Sequence, residues 1–349
     1  MILSQINVSE NKLEIDFNRH EYSWEYYLGQ YISAFACILD IARAKRYKIN
    51  KMSMPFLFLM RHSVELLLKY LIVSNNKKVP NTHKITALAE GLGAGCKEFV
   101  AKLDVLYCDT AGDCFRYPDV IGEFKNKSTK LQSVDVCNCF IEFYNANRPQ
   151  TFKSIEPLCE SKKMNNELFF KPSENRTLGQ FSTSYDFAIF ELLNLIQNDS
   201  ISIQDIYLPL LFFYRHTLEL KLKDEIKTIK PDCKLLCKEH SVCKLKNVFE
   251  NIVKDAIERI DDPKFKELSK DYMCKTLRFE EVIHNLDKNS LYFRYPFDEN
   301  GEEQLISSIK KTTIYTIYTY YKVTDSFLSF AVYHLSELGY LDINERNEN

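Results

Sequence analysis

Two stretches set charge into otherwise apolar sequence: Arg-His-Ser-Val-Glu-Leu-Leu-Leu-Lys from Arg61, and Arg-His-Thr-Leu-Glu-Leu-Lys-Leu-Lys from Arg215. On a helix, Arg61, Glu65 and Lys69 fall at i, i+4 and i+8, so two cations flank one carboxylate along a single stripe. Arg215, Glu219 and Lys223 repeat that ladder. The surrounding Leu57, Phe58, Val64, Leu67, Leu68 and Leu71 form an apolar face, and charges withdrawn from water beside it must be paired. Two readings follow. In one the ladder is an interior ion-pair strut, completed by an arginine from the Phe-Arg-Tyr-Pro block of the same copy. In the other Arg61, His62, Arg215 and His216 line a cleft that holds phosphate, because a guanidinium fork matches a phosphodiester and imidazole moves protons near neutral pH.

Phe-Arg-Tyr-Pro occurs twice, at Phe115 and Phe293. An arginine between two aromatics and before a proline sits on a stiffened turn. The aromatics either plug the core or stack a base while Arg116 or Arg294 contacts phosphate. The candidate substrate-binding set is therefore Arg116, Arg294, Lys69, Lys223, Glu65 and Glu219. A separate cluster, Cys233, Cys237, His240 and Cys243, is a ligand set that zinc accepts. The matching histidine of the first copy, His83, has no cysteine nearby, which assigns the histidine to the repeat and keeps zinc a secondary candidate. No glycine-rich phosphate loop, nucleophile elbow or HExxH segment appears, and no cofactor is expected.

These residues need elements to position them, and the chain supplies the same elements twice. Leu-Gly-Gln at Leu28 answers Leu-Gly-Gln at Leu178, Pro55 answers Pro209, His83 answers His240, and Phe115 answers Phe293. Four blocks in one order make an internal repeat. The boundaries read as copy one at 18–147, a polar linker at 148–177 and copy two at 178–340. Each copy reads as a helix from the Leu-Gly-Gln block, a second helix opening at the proline, a third near the histidine, the Phe-Arg-Tyr-Pro turn and a closing helix. Thr82 is the expected N-cap of the third helix in copy one. The fold class is all-α, as two tandem four- to five-helix bundles forming an internal pseudo-dimer. The tyrosine-rich helix from Thr312 reads as a packing or subunit-contact helix, with His334 packed within it.

At 349 residues the chain is long enough for two such domains. With 45% hydrophobic and 27% charged residues it has the composition of a folded soluble protein. Net charge is -2, so no overall cationic field steers nucleic acid, and any RNA contact needs a local patch. No leader is visible and no apolar run reaches the length of a membrane span, which points to the cytoplasm and away from a membrane. Eleven scattered cysteines point to reduced thiols.

The blocks Glu-Leu-Leu-Leu-Lys-Tyr-Leu-Ile from Glu65 and Thr-His-Lys-Ile-Thr-Ala-Leu-Ala-Glu from Thr82 resemble the HEPN superfamily, whose bundles pair a Glu-Leu-x-x-Lys helix with Thr-His leading a leucine-rich helix. The resemblance implies RNA binding or metal-independent endoribonuclease activity of the bacterial stress, toxin or phage-defence kind. It also implies a dimeric site at the bundle interface, with further dimerisation or a protein partner as possibilities. The family signature is an arginine, four to six residues, then a histidine. Arg278 and His284 have five between them, so the resemblance makes them the catalytic pair, with Arg61, His62, Arg215 and His216 as the alternative. Copy one has no Arg or His between Cys96 and Asp113, where a counterpart is expected. The competing reading is a non-catalytic helical module that binds a nucleotide or a protein.

Overall fold

The computed structural model describes residues 13–44, 50–103, 112–118, 131–158, 169–170, 177–276, 287, 290–304 and 311–341. Arg278 and His284 lie outside them. The described part is all-α apart from four short strands.

The first half runs β1 (Glu14–Asp16), α1 (Trp24–Ala44), α2 (Ser53–Ser74), α3 (Ile85–Glu90), α4 (Ala94–Lys102), β2 (Leu131–Gln132) and α5 (Ser133–Asn147). The second runs β3 (Phe169–Phe170), α6 (Leu178–Gln197), α7 (Tyr207–Ile229), α8 (Val242–Glu258), α9 (Pro263–Thr276), β4 (Lys311–Thr313) and α10 (Ile314–Ser329). A π-helical turn at Phe330–His334 and a short α11 (Leu335–Glu337) follow. α1 packs along α2, α6 along α7, and each closing helix, α5 or α10, packs on the charged helix of its own half. Pro55 and Pro209 sit in the first turns of α2 and α7, where a missing N–H breaks no helical bond.

The spacing of the helices differs from the register of the Leu-Gly-Gln match. α1 starts at Trp24 and α6 at Leu178, 154 positions apart, the same spacing that separates Arg61 from Arg215. Tyr31 and Tyr185 are the equivalent tyrosines: each packs edge-on against its own half's histidine, His62 or His216, with centroids 4.5 and 4.9 Å apart. The sequence match is therefore slipped by one turn. Four residues advance a helix by about 400°, which turns the buried face by only about 40° and makes the slip hard to see in an apolar pattern. The two glutamines differ accordingly. Gln180 closes a capping box with Thr177, whereas Gln30 lies inside α1 and bridges to the other half, taking the Leu208 amide and donating to the Gln204 carbonyl.

The halves are joined crosswise. β1 pairs antiparallel with β4 and β2 with β3, so the strand that leads each half pairs with the strand before the other half's closing helix. Phe58 stacks on Phe212 across the joint at 4.6 Å. Strand β1 lies before the expected start of copy one, and β3 lies within the expected linker.

Two local expectations are corrected. Lys84, not Thr82, is the N-cap of α3; Thr82 Oγ1 instead accepts the Lys84 amide ahead of the helix. His334 is exposed beside Glu337 rather than packed, because the π turn rotates it outward from the face that α10 buries. The described cysteines are free thiols. Among the described residues, no helix is long and apolar enough to cross a membrane.

Candidate functional site

α2 and α7 are buried along nearly their whole length, and the ladders are buried with them. Arg61, Glu65 and Lys69 are at most 4% exposed, as are Arg215, Glu219 and Lys223. Glu65 takes one oxygen to Arg61 and the other to Lys69 at 2.8 Å. Glu219 is held by Arg215 at 3.1 Å and Lys223 at 3.0 Å. Burial alone would raise the Glu65 carboxyl, but the Lys69 and Arg61 charges and the His83 hydrogen bond hold it well below the usual range. Glu219 is held down in the same way against burial by His240, Lys223 and Arg215.

The adjacent histidines do a different job. His62 Nε2 donates to the Arg294 carbonyl at 3.0 Å, and His216 Nε2 donates to the Arg116 carbonyl at 3.0 Å. Each bond crosses to the other half's Phe-Arg-Tyr-Pro turn. Tyr31 and Tyr185 cross with them, to the carbonyls of Phe293 and Phe115. A carbonyl only accepts, so Nε2 carries the proton in both rings. Burial lowers both histidines, His216 to about 3, and keeps them neutral. His62 and His216 thus lie buried at the joint, while Arg61 and Arg215 are buried on partners of their own halves, Glu65 and His83 for one and Glu219 and His240 for the other.

The same-copy completion by Arg116 or Arg294 is corrected too. Each arginine, 7% exposed, folds back on its own turn: Arg116 onto Asp113 and the Gly112 carbonyl, Arg294 onto the Ser290 carbonyl. Gly112 and Ser290 both take positive φ, +76° and +62°, to start that turn. At Gly112 the space is also short, since a Cβ would lie 3.3 Å from the Arg61 guanidinium. The aromatic of the turn reaches the other half: Tyr295 lies under Lys69, 4.6 Å from Nζ, and Tyr117 under Lys223 at 4.8 Å.

What the ladders position is a second pair of histidines, which the spacing of the charged helix did not single out. Arg61 donates to the His83 carbonyl while Glu65 accepts His83 Nδ1 at 2.9 Å. Arg215 and Glu219 hold His240 identically, at 2.7 and 2.9 Å. Both imidazoles are open, 42% and 47% exposed, above fully buried carboxylates. With Nδ1–H committed to a carboxylate, the Nε2 lone pair is the free acceptor, the arrangement of an oriented acid–base histidine. The available signal was their recurrence in both copies behind the ladder.

His83 borders a cavity of about 620 Å³, shared with Trp24, Lys69, Lys78, Tyr295 and Phe297 among others. His240 Nδ1 is also 2.9 Å from the Tyr117 hydroxyl, so Glu219 and Tyr117 account for that ring nitrogen. Among the described residues no group of three His, Cys, Asp or Glu is placed to hold a metal; the side chain of Cys237 lies outside them.

The family model of the HEPN domain matches residues 39–147. No curated protein and no solved structure matches the chain. The match takes in α2, with Arg61 and Glu65, and the segment that carries His83 to α3. Residues 39–147 are thus similar to the HEPN domain.

Proposed function

We propose that the chain is an RNA-binding protein that cleaves RNA without a metal, acting in a bacterial stress or phage-defence setting. It is built from two HEPN-type bundles, 18–147 and 178–340, fused as an internal pseudo-dimer. The observation that carries this reading is the HEPN match to a half whose charged helix bonds the Phe-Arg-Tyr-Pro turn of the other half, with the reciprocal bond returned. A dimeric HEPN site would then be contained in one chain. Arg278 and His284 have the signature spacing and are the proposed catalytic pair. The histidine would serve the 2′-hydroxyl and the leaving oxygen as base and acid, and the arginine the charge on phosphorus. Purified chain incubated with total RNA in EDTA is expected to cut it, and His284→Ala to abolish cutting. Intact RNA after incubation with a folded wild-type chain would overturn the proposal.

The burial of Arg61, His62, Arg215 and His216 favours architecture over chemistry for those four residues. This supports the second reading, a non-catalytic module for a nucleotide or protein, which retains binding and shows no cleavage in the same assay.

A further inference from the structure

The two halves place equivalent histidines over equivalent glutamates, yet their surroundings have diverged. Beside His83 stand Trp24 and Phe297, in contact at 5.7 Å. At the equivalent positions of the other half the sequence has Leu178 and, after Tyr-Pro, Asp119. One dyad has therefore acquired an aromatic wall. Lys69 Nζ, which also lines the cavity, lies 4.9 Å from the Trp24 ring and 4.6 Å from Tyr295, and Tyr295 packs against His83 at 4.9 Å. The opposite rim carries exposed Lys78 and Asn81. Asp298, also at the rim, spends one carboxylate oxygen on the backbone amides of Asn300 and Glu302 in its own turn.

We propose that this cavity is a ribonucleotide site. The base stacks on the Trp24–Phe297 wall, the phosphate meets Lys78, and the Nε2 lone pair of His83 accepts the ribose 2′-hydroxyl. Glu65 positions His83 and touches no ligand. A structural pin would be expected to sit closed, as His62 does at 1% exposure; His83 shares the same ladder and is open to a cavity of nucleotide size. Aromatic faces select a flat ring, and an imidazole lone pair selects a hydroxyl donor over a deoxy position.

Trp24 is the chain's single tryptophan, so its fluorescence reports occupancy directly. Titration of the full chain with the four ribonucleoside monophosphates is expected to quench it saturably. Binding of the 2′-deoxy counterparts should be about tenfold weaker, the value of one hydrogen bond, and inorganic phosphate should not quench. His83→Ala should remove the ribose preference while retaining quenching, and Phe297→Ala should weaken all nucleotides alike. No saturable quenching, quenching by inorganic phosphate alone, or equal ribo and deoxy affinities in the wild type would each overturn the site. RNA cleavage does not enter this measurement, so failure of the endoribonuclease reading leaves it standing, and the reverse.

Discussion

Glu65 holds Arg61, Lys69 and His83 from a fully buried position, and Glu219 holds Arg215, Lys223, His240 and the Tyr117 hydroxyl, which makes them the residues with the largest expected energetic consequence. Glu65→Ala leaves Arg61 and Lys69 as buried cations without their carboxylate, and should cost about 3–5 kcal/mol in urea unfolding. His83→Ala, at an open position above it, should cost within about 1 kcal/mol. Equal losses from the two would show that the ladder is not the strut. The buried histidines predict a pH dependence. His216 titrates in the fold near 3 and in the unfolded chain near its ordinary value of about 6.5, and His62 is lowered in the same sense. Between these limits the unfolded chain binds more protons, so stability is full above about pH 6.5 and falls as pH drops, by about 1.4 kcal/mol per unit for each histidine. The lowered Glu65 and Glu219 add to the loss only below about pH 4.5. Thermal melts from pH 7 to 5 should show this slope, and His216→Gln, which keeps an N–H donor, should reduce it by one histidine's share. A slope unchanged in that variant would remove His216 from the account. At this scale the ladder was legible because i, i+4 spacing is local. The dyads were not, because His83 and Glu65 meet only once the loop after α2 returns.

The helices were legible for the same local reason, and their errors have local causes. Prolines marked the starts of α2 and α7, since only a first turn tolerates them there. Thr82 looked like a cap because side-chain capping chemistry precedes His83, but the chain enters α3 two residues later. The Leu-Gly-Gln match misled because a one-turn slip preserves an apolar face. The correct register gives Gln30 a task in a helix of the other half, at the first amides of α7, where donors lack helical partners. Gln30→Ala should therefore cost about 1–2 kcal/mol in chemical denaturation. Gln180→Ala, at the end of α6, should cost less. The reverse order would restore the Leu-Gly-Gln alignment as the structural one.

At the scale of the molecule, the repeated blocks were legible and the crossing of their contacts was not, since sequence order carries no information about which half a turn packs against. Strands, tyrosines, histidines and Phe-Arg-Tyr-Pro turns all exchange between the halves, so neither has a finished core. A fragment ending near residue 158 should fail to remain a folded monomer by light scattering and circular dichroism, and co-expression with the remainder should restore a single folded complex. A stable monomeric fragment would contradict the exchange. The crossing also has a consequence for how such a chain can change over time. A free pair of identical subunits would have to keep every substitution in both sites at once, and to meet its partner by diffusion. Tethering sets the effective concentration of the partner by the linker and lets each half vary alone. Compensating substitutions should then run diagonally, His62 with the turn at 290–295 and His216 with the turn at 112–117. Trp24 facing Phe297 has the form of one such diagonal innovation.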